Sequence, residues 1–136
     1  SALCNDGWTA HGDACYAFVN EYVNWPAAHD ICRTLGANLV EIDSMSENQF
    51  ILDLVHQHAS HRDDQWIWLG IQDFLRDGDW RLASTGQKVN FTHWLRGEPD
   101  DNDHNEGGSD CVEMRPDGYW EDTWCVNDEN AVMCES

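Results

Sequence analysis

A chain of 136 residues suits one domain spanning 1–136, and its 26 Asp and Glu against seven Lys and Arg give a formal net charge of −19. A chain this acidic is repelled by DNA, RNA and anionic lipid, so a nucleic-acid partner is excluded. No apolar run approaches the roughly 20 residues that cross a bilayer, which excludes membrane insertion, and eight Trp with four Phe and three Tyr supply a core.

Residues 3–23 read as strands around turns, with turn residues in Asn5-Asp6-Gly7 and His11-Gly12-Asp13 and a β-rich run after Cys15. A first helix follows, capped by Asn24, opened by Pro26 and ended by Gly36, with Ala27, Ala28, Ile31, Cys32 and Leu35 on one face. Residues 37–42 read as a short strand. A second helix starts at Ser44, which forms a capping box with Glu47, and Phe50, Ile51, Leu54, Val55 and His58 share its inner face. Residues 65–73 read as a core strand that takes in Trp66 and Trp68. Between 74 and 109 the chain is rich in Gly, Asp and Asn, and only short strands fit, at Trp80–Leu82 and Val89–Trp94. The runs 111–114, 118–122 and 131–135 close the domain as strands. The result is an α+β fold with one long loop region, which needs something to order it.

Cys4, Cys15, Cys32, Cys111, Cys125 and Cys134 form an even set with no C-x₂-C pair, so disulfides are expected rather than zinc, in an oxidising compartment. Their count alone leaves several pairings open. A secreted, extracellular domain is expected, with Ser1 as a mature or trimmed start.

The segment from Glu98 to Cys111 carries Glu98, Asp100, Asp101, Asp103, Glu106 and Asp110 without a single Lys or Arg. Carboxylates this dense repel, so the loop folds around a cation or stays open in water. Calcium, which takes six to eight oxygen ligands, fits these residue types, although the spacing is not that of an EF-hand. Two further clusters are Glu121-Asp122 and the trio Asp73, Asp77 and Asp79.

Four features in combination carry a resemblance. Trp68-Leu69-Gly70 is similar to a W-I-G core motif, Glu98-Pro99-Asp100 to an E-P-N or Q-P-D motif, and Trp120-Glu121-Asp122 to W-N-D; the six cysteines complete the set. Over essentially its whole length the chain resembles a long-form C-type lectin domain. That resemblance implies a C-type lectin-like fold of two helices, small antiparallel sheets and a long calcium-binding loop region. It implies the disulfides Cys4–Cys15, Cys32–Cys134 and Cys111–Cys125. It implies a principal calcium on Glu98, Asp100, Glu121 and Asp122. Glu106 stands in for a Glu that the family places where Ser109 lies here. An auxiliary calcium is implied on Asp73, Asp77, Asp101 and Asp110.

The function implied is calcium-dependent binding of carbohydrate, a monosaccharide or glycan terminus, through two neighbouring hydroxyls. The residues expected to bind the sugar are Glu98, Asp100, Glu106, Glu121 and Asp122, and a homo-oligomer would add avidity. Family sites mix carboxylates with amides, whereas Glu98, Asp100 and Glu121 only accept when ionised. Asn102, His104, Asn105, backbone groups or water are the candidate replacements for the missing donors. Galactose-type and mannose-type preference stays open, since Glu98 is similar to the mannose type and Asp100 to the galactose type. The alternative is a calcium-binding domain of this fold with a non-sugar ligand: protein, mineral or ice. No nucleophile elbow or metalloprotease motif is present, so an enzyme is not expected. Asn90-Phe91-Thr92 is a glycosylation sequon. His56, His58 and His61 near the end of the second helix read as a solvated helix end rather than a metal site.

Overall fold

Asn24 starts the first helix as its side chain dictates. In the computed structural model, which describes residues 3–58, 65–99 and 110–136, helix α1 spans Trp25–Thr34. The Ala27 N–H donates to Asn24 Oδ1 at 3.0 Å, and Pro26 occupies the first turn, where no N–H partner is needed. The chain leaves α1 through Gly36 at φ 74°, a conformation that costs a residue with a Cβ. Helix α2 spans Met45–His58. Ser44 Oγ accepts from the Glu47 N–H at 3.1 Å, but Glu47 returns the bond to the Asp43 N–H at 2.9 Å rather than to Ser44. The inner face of α2 takes in Leu52 beside Ile51, Leu54 and Val55, while Phe50 is half-buried and His58 is exposed.

The strands are β1 (Thr9–His11), β2 (Ala14–Val23), β3 (Asn38–Leu39), β4 (Ile67–Gln72), β5 (Arg81–Leu82), β6 (Cys111–Met114), β7 (Trp120–Thr123) and β8 (Asn130–Glu135). They pair in the order β1-β2-β8-β4-β6-β7, with β3 on β8 and β5 on β4. All pairs are antiparallel except β4 with β8, where Ile67 meets Ala131. The second and last strands therefore meet, and Cys15 and Ser136 exchange backbone bonds at 3.0 and 2.9 Å.

Strand alternation divides the core. Ile67, Leu69 and Ile71 of β4, Ala131 and Met133 of β8, and Val112 and Met114 of β6 pack with the inner face of α2. Trp68, Val132, Cys134 and Cys111 point the other way, to Trp25, Ala28 and Cys32 of α1. Gly70 follows Trp68 and Leu69 because a Cβ there would lie 2.5 Å from the Leu39 carbonyl oxygen; the two backbones touch, and Gly70 N–H donates to Val40 O at 2.7 Å.

Two expected strands shrink. Residues 37–42 pair as a strand only over Asn38–Leu39. Val89–Trp94 is not a strand. Its backbone bonds go singly to different partners, from Val89 N–H to Trp80 O and through a bridge of Trp94 to Trp120, so no ladder builds. Val89, Phe91 and Trp94 instead pack one by one on the core. The three disulfides are Cys4–Cys15, Cys32–Cys134 and Cys111–Cys125, and no cysteine is free. No helix among the described residues is long and apolar enough to cross a membrane.

Candidate functional site

Strand β4 ends at Gln72, and the next residue turns toward the start of β6. The Asp73 N–H donates to the Asp110 carbonyl at 3.1 Å, which sets the two loops side by side. Asp73 is 3% exposed. Its Oδ2 accepts from the Gly78 N–H at 2.9 Å, while its Oδ1 is buried and makes no hydrogen bond among the described residues. Asp73, exposed Asp77 and half-buried Asp110 each bring a carboxylate oxygen within 4.8 Å of the others. Burial first, and then the charges of Asp110 and Asp77, push the Asp73 carboxyl up to about 7. Three close carboxylates with an orphaned buried oxygen make an acceptor set that suits a hard cation. Asp79 is not part of it. It turns to Arg81, whose Nε and Nη2 donate to it at 3.1 and 2.9 Å and hold its carboxyl below the usual range.

The second half of the site is built on β7. Trp120 is fully buried, and its Nε1 donates to Asn48 Oδ1 at 2.8 Å while Asn48 Nδ2 donates to Gly118 O at 3.1 Å. Helix α2 thus fixes the strand that carries Glu121 and Asp122. The Leu95 N–H donates to Trp120 O, and the Glu98 N–H donates to Leu95 O, both at 2.8 Å, which ties the turn bearing Glu98 to β7. The Glu98–Pro99 peptide is cis. Asp122 is buried, and Glu98 and Glu121 are half-buried. Across the β6–β7 pair Glu121 faces Glu113, whose carboxyl is pushed up to about 8 by burial and by Glu121, against a hydrogen bond from Asn130. Asp100, Asp101 and Glu106 lie outside the described residues, as do Asn102, His104, Asn105 and His61.

Asn90 and Thr92 of the sequon are exposed. His56 Nε2 meets Pro116 O at 2.9 Å and His58 stacks on Phe18, so these two rings serve separate partners. Three groupings escape a reading by residue type. Tyr16 donates to Glu47 at 2.5 Å beside Glu135, whose carboxyl burial pushes up to about 7, linking β2, α2 and β8. Glu113 lies under Glu121. Tyr119 stacks on His93 beside Arg115. Tyr16 with Glu47 and Tyr119 with His93 depend on partners far apart in sequence, and Glu113 with Glu121 on the register of β6 and β7. The only local signal was strand alternation, which sets Glu121 apart from Trp120 and Asp122 on the face it shares with Glu113.

The Lectin C-type domain family model matches residues 21–136. Asialoglycoprotein receptor 2 of Rattus norvegicus is 35% identical over 97% of this chain, which spans only 42% of the receptor. The galactose-specific lectin nattectin of Thalassophryne nattereri is 32% identical, over 92% of this chain and 76% of its own length. Among solved structures, the mouse scavenger receptor C-type lectin carbohydrate-recognition domain superposes with a TM-score of 0.86 at 28% identity, covering 98% of each chain.

Proposed function

Because the chain belongs to the C-type lectin domain family, we propose that residues 1–136 act as one secreted, calcium-dependent carbohydrate-binding domain. The family consists of binding domains without catalytic activity, so the chain is not an enzyme. The observation that carries the reading is the Asp73, Asp77 and Asp110 group, which brings one carboxylate oxygen of each within 4.8 Å of the others and in which Asp73 Oδ1 is buried without a hydrogen bond among the described residues. With Asp101 these residues would hold an auxiliary calcium, and Glu98, Asp100, Glu106, Glu121 and Asp122 would hold the principal one. When bound, the principal calcium supplies a coordination centre for two neighbouring sugar hydroxyls. The chain's own groups orient the ring: Glu98, Asp100 and Glu121 accept hydrogen bonds from its hydroxyls and donate none while ionised. The three disulfides support an oxidising, extracellular setting, and a homo-oligomer would supply avidity.

The shortage of donors predicts modest affinity with relaxed choice between galactose-type and mannose-type rings, since each unpaired group in a desolvated site costs about 1–3 kcal/mol. Substitution toward each amide pattern tests this. Asp100→Asn with Glu121→Asn is expected to raise preference for mannose by roughly tenfold, and Glu98→Gln with Glu121→Asn to do the same for galactose. Titration of both variants with the two methyl glycosides reads the outcome. Tight, selective binding by the unmodified chain that both variants abolish would overturn this account of the donors. Calcium binding without affinity for any sugar would point instead to a protein, mineral or ice ligand.

A further inference from the structure

Two residues before Glu121 and immediately before β7, Tyr119 presents a half-exposed aromatic ring, 41% exposed. Its ring stacks on His93 with centroids 4.2 Å apart and planes 14° from parallel. Its backbone is held on both sides: the Tyr119 N–H donates to Asp117 Oδ1 at 3.1 Å, and the Arg115 N–H donates to Tyr119 O at 2.8 Å. The ring is therefore fixed before any ligand arrives, and an ordered platform loses little entropy on binding.

Polar groups flank it. Arg115 donates from Nε and Nη2 to Asp117 at 3.0–3.3 Å. Its guanidinium lies 5.9 Å from the Trp66 ring centre, and its Nη1 stands 4.0 Å from Glu121. A flat aromatic face beside a pinned Arg–Asp pair matches the two sides of a pyranose. The sugar's C–H face is apolar with a positive edge and rests on the negative face of the ring, while its equatorial hydroxyls reach donors and acceptors around it.

We propose that Tyr119, backed by His93 and bordered by Arg115 and Asp117, is a second subsite for the penultimate ring of a neutral oligosaccharide whose terminal ring is held at Glu98 and Glu121. This rests on the carbohydrate-binding reading above. The geometry supports it: Tyr119 immediately precedes β7, Arg115 donates its N–H to Tyr119 O at 2.8 Å and brings its Nη1 to 4.0 Å from Glu121, so one residue borders both positions, and two residues of backbone span at most about 7 Å, within reach of a neighbouring linked ring. The oligosaccharide is neutral because Asp117 already neutralises Arg115 next to Glu121, in a chain of net charge −19.

The test compares methyl β-galactoside with lactose, and methyl α-mannoside with an α-linked mannotriose, on the full chain in calcium. The unmodified chain is expected to bind the longer member of one pair more tightly. Tyr119→Ala is expected to cut the ratio of oligosaccharide to monosaccharide affinity by about threefold to tenfold, and Tyr119→Trp to keep it. Sialyllactose is expected to bind no tighter than lactose. An equal affinity for long and short members, a ratio that Tyr119→Ala leaves intact, or tighter binding of sialyllactose overturns the subsite while the lectin reading stands. Failure of the unmodified chain to bind any of these sugars overturns both. A calcium-induced melting shift retained in Tyr119→Ala separates loss of the platform from loss of the fold.

Discussion

Replacing Cys32 and Cys134 together with Ala is expected to lower stability by about 4–5 kcal/mol. The bridge closes 102 residues and ties α1 to β8, and in the chain-entropy model a loop near that length restricts the unfolded state by about 4.7 kcal/mol. Both cysteines are fully buried, so their loss also removes packing between α1 and the sheet. The same pair of changes at Cys4 and Cys15, separated by 11 residues, is expected to cost about 3 kcal/mol or less. The difference arises because the hairpin of β1 and β2 is already local, whereas α1 and β8 meet from opposite ends of the chain. Denaturant midpoints of the two variants measure it. A smaller loss for Cys32 and Cys134 than for Cys4 and Cys15 would contradict the entropy argument.

Calcium in large excess is expected to raise stability by about 2.7 kcal/mol at one hundred times its Kd, and the gain should depend on pH with a definite sign. Without calcium, the folded chain holds protons on groups that burial has shifted upward: Asp73 and Glu135 at about 7. Such groups contribute stability that is complete below their unfolded values near 4 and is lost as pH rises through about 7. The calcium-free fold should therefore melt at lower temperature as pH rises from 5 to 8. Calcium binds the carboxylates only when they are ionised, so its contribution is present at neutral pH and disappears on acidification. The melting curves with calcium and with chelator are thus expected to converge toward pH 5 and diverge toward pH 8. Asp73→Asn sharpens the test. It removes a buried charge that is crowded by Asp77 and Asp110, so the calcium-free fold should gain stability while the calcium-dependent shift falls. A shift that is equal at pH 5 and pH 8, or unaffected by Asp73→Asn, would remove the auxiliary site from the account.

The elements easiest to read from sequence are those whose determinants lie within a few residues. Asn24, Pro26 and Gly36 bound α1 through local backbone chemistry, and the apolar run from Ile67 to Ile71 marks a strand buried on both faces. The disulfide pairing was implied by family resemblance, not by spacing, and the structure has that pairing. Val89–Trp94 looked like a strand because Val, Phe and Trp favour one, yet tertiary packing onto Trp80 and Trp120 took each side chain separately. Within the acidic clusters, residue type did not tell Asp79 from Asp77. Two residues further on, Arg81 captures Asp79, while Asp77 stays with Asp73 and Asp110. The second oxygen of Glu47 was invisible for the same reason: Tyr16 lies 31 residues away. Groups joined by fold rather than by sequence are legible only once the register of β6, β7 and β8 is known.

The most direct test of a calcium-held sugar is retention of the unmodified chain on immobilised galactose and mannose. The account predicts retention in calcium at neutral pH on at least one of the two, and release by chelator or by acid. Retention that persists in chelator, or passage through both columns by a chain whose melting temperature calcium has raised, would contradict it.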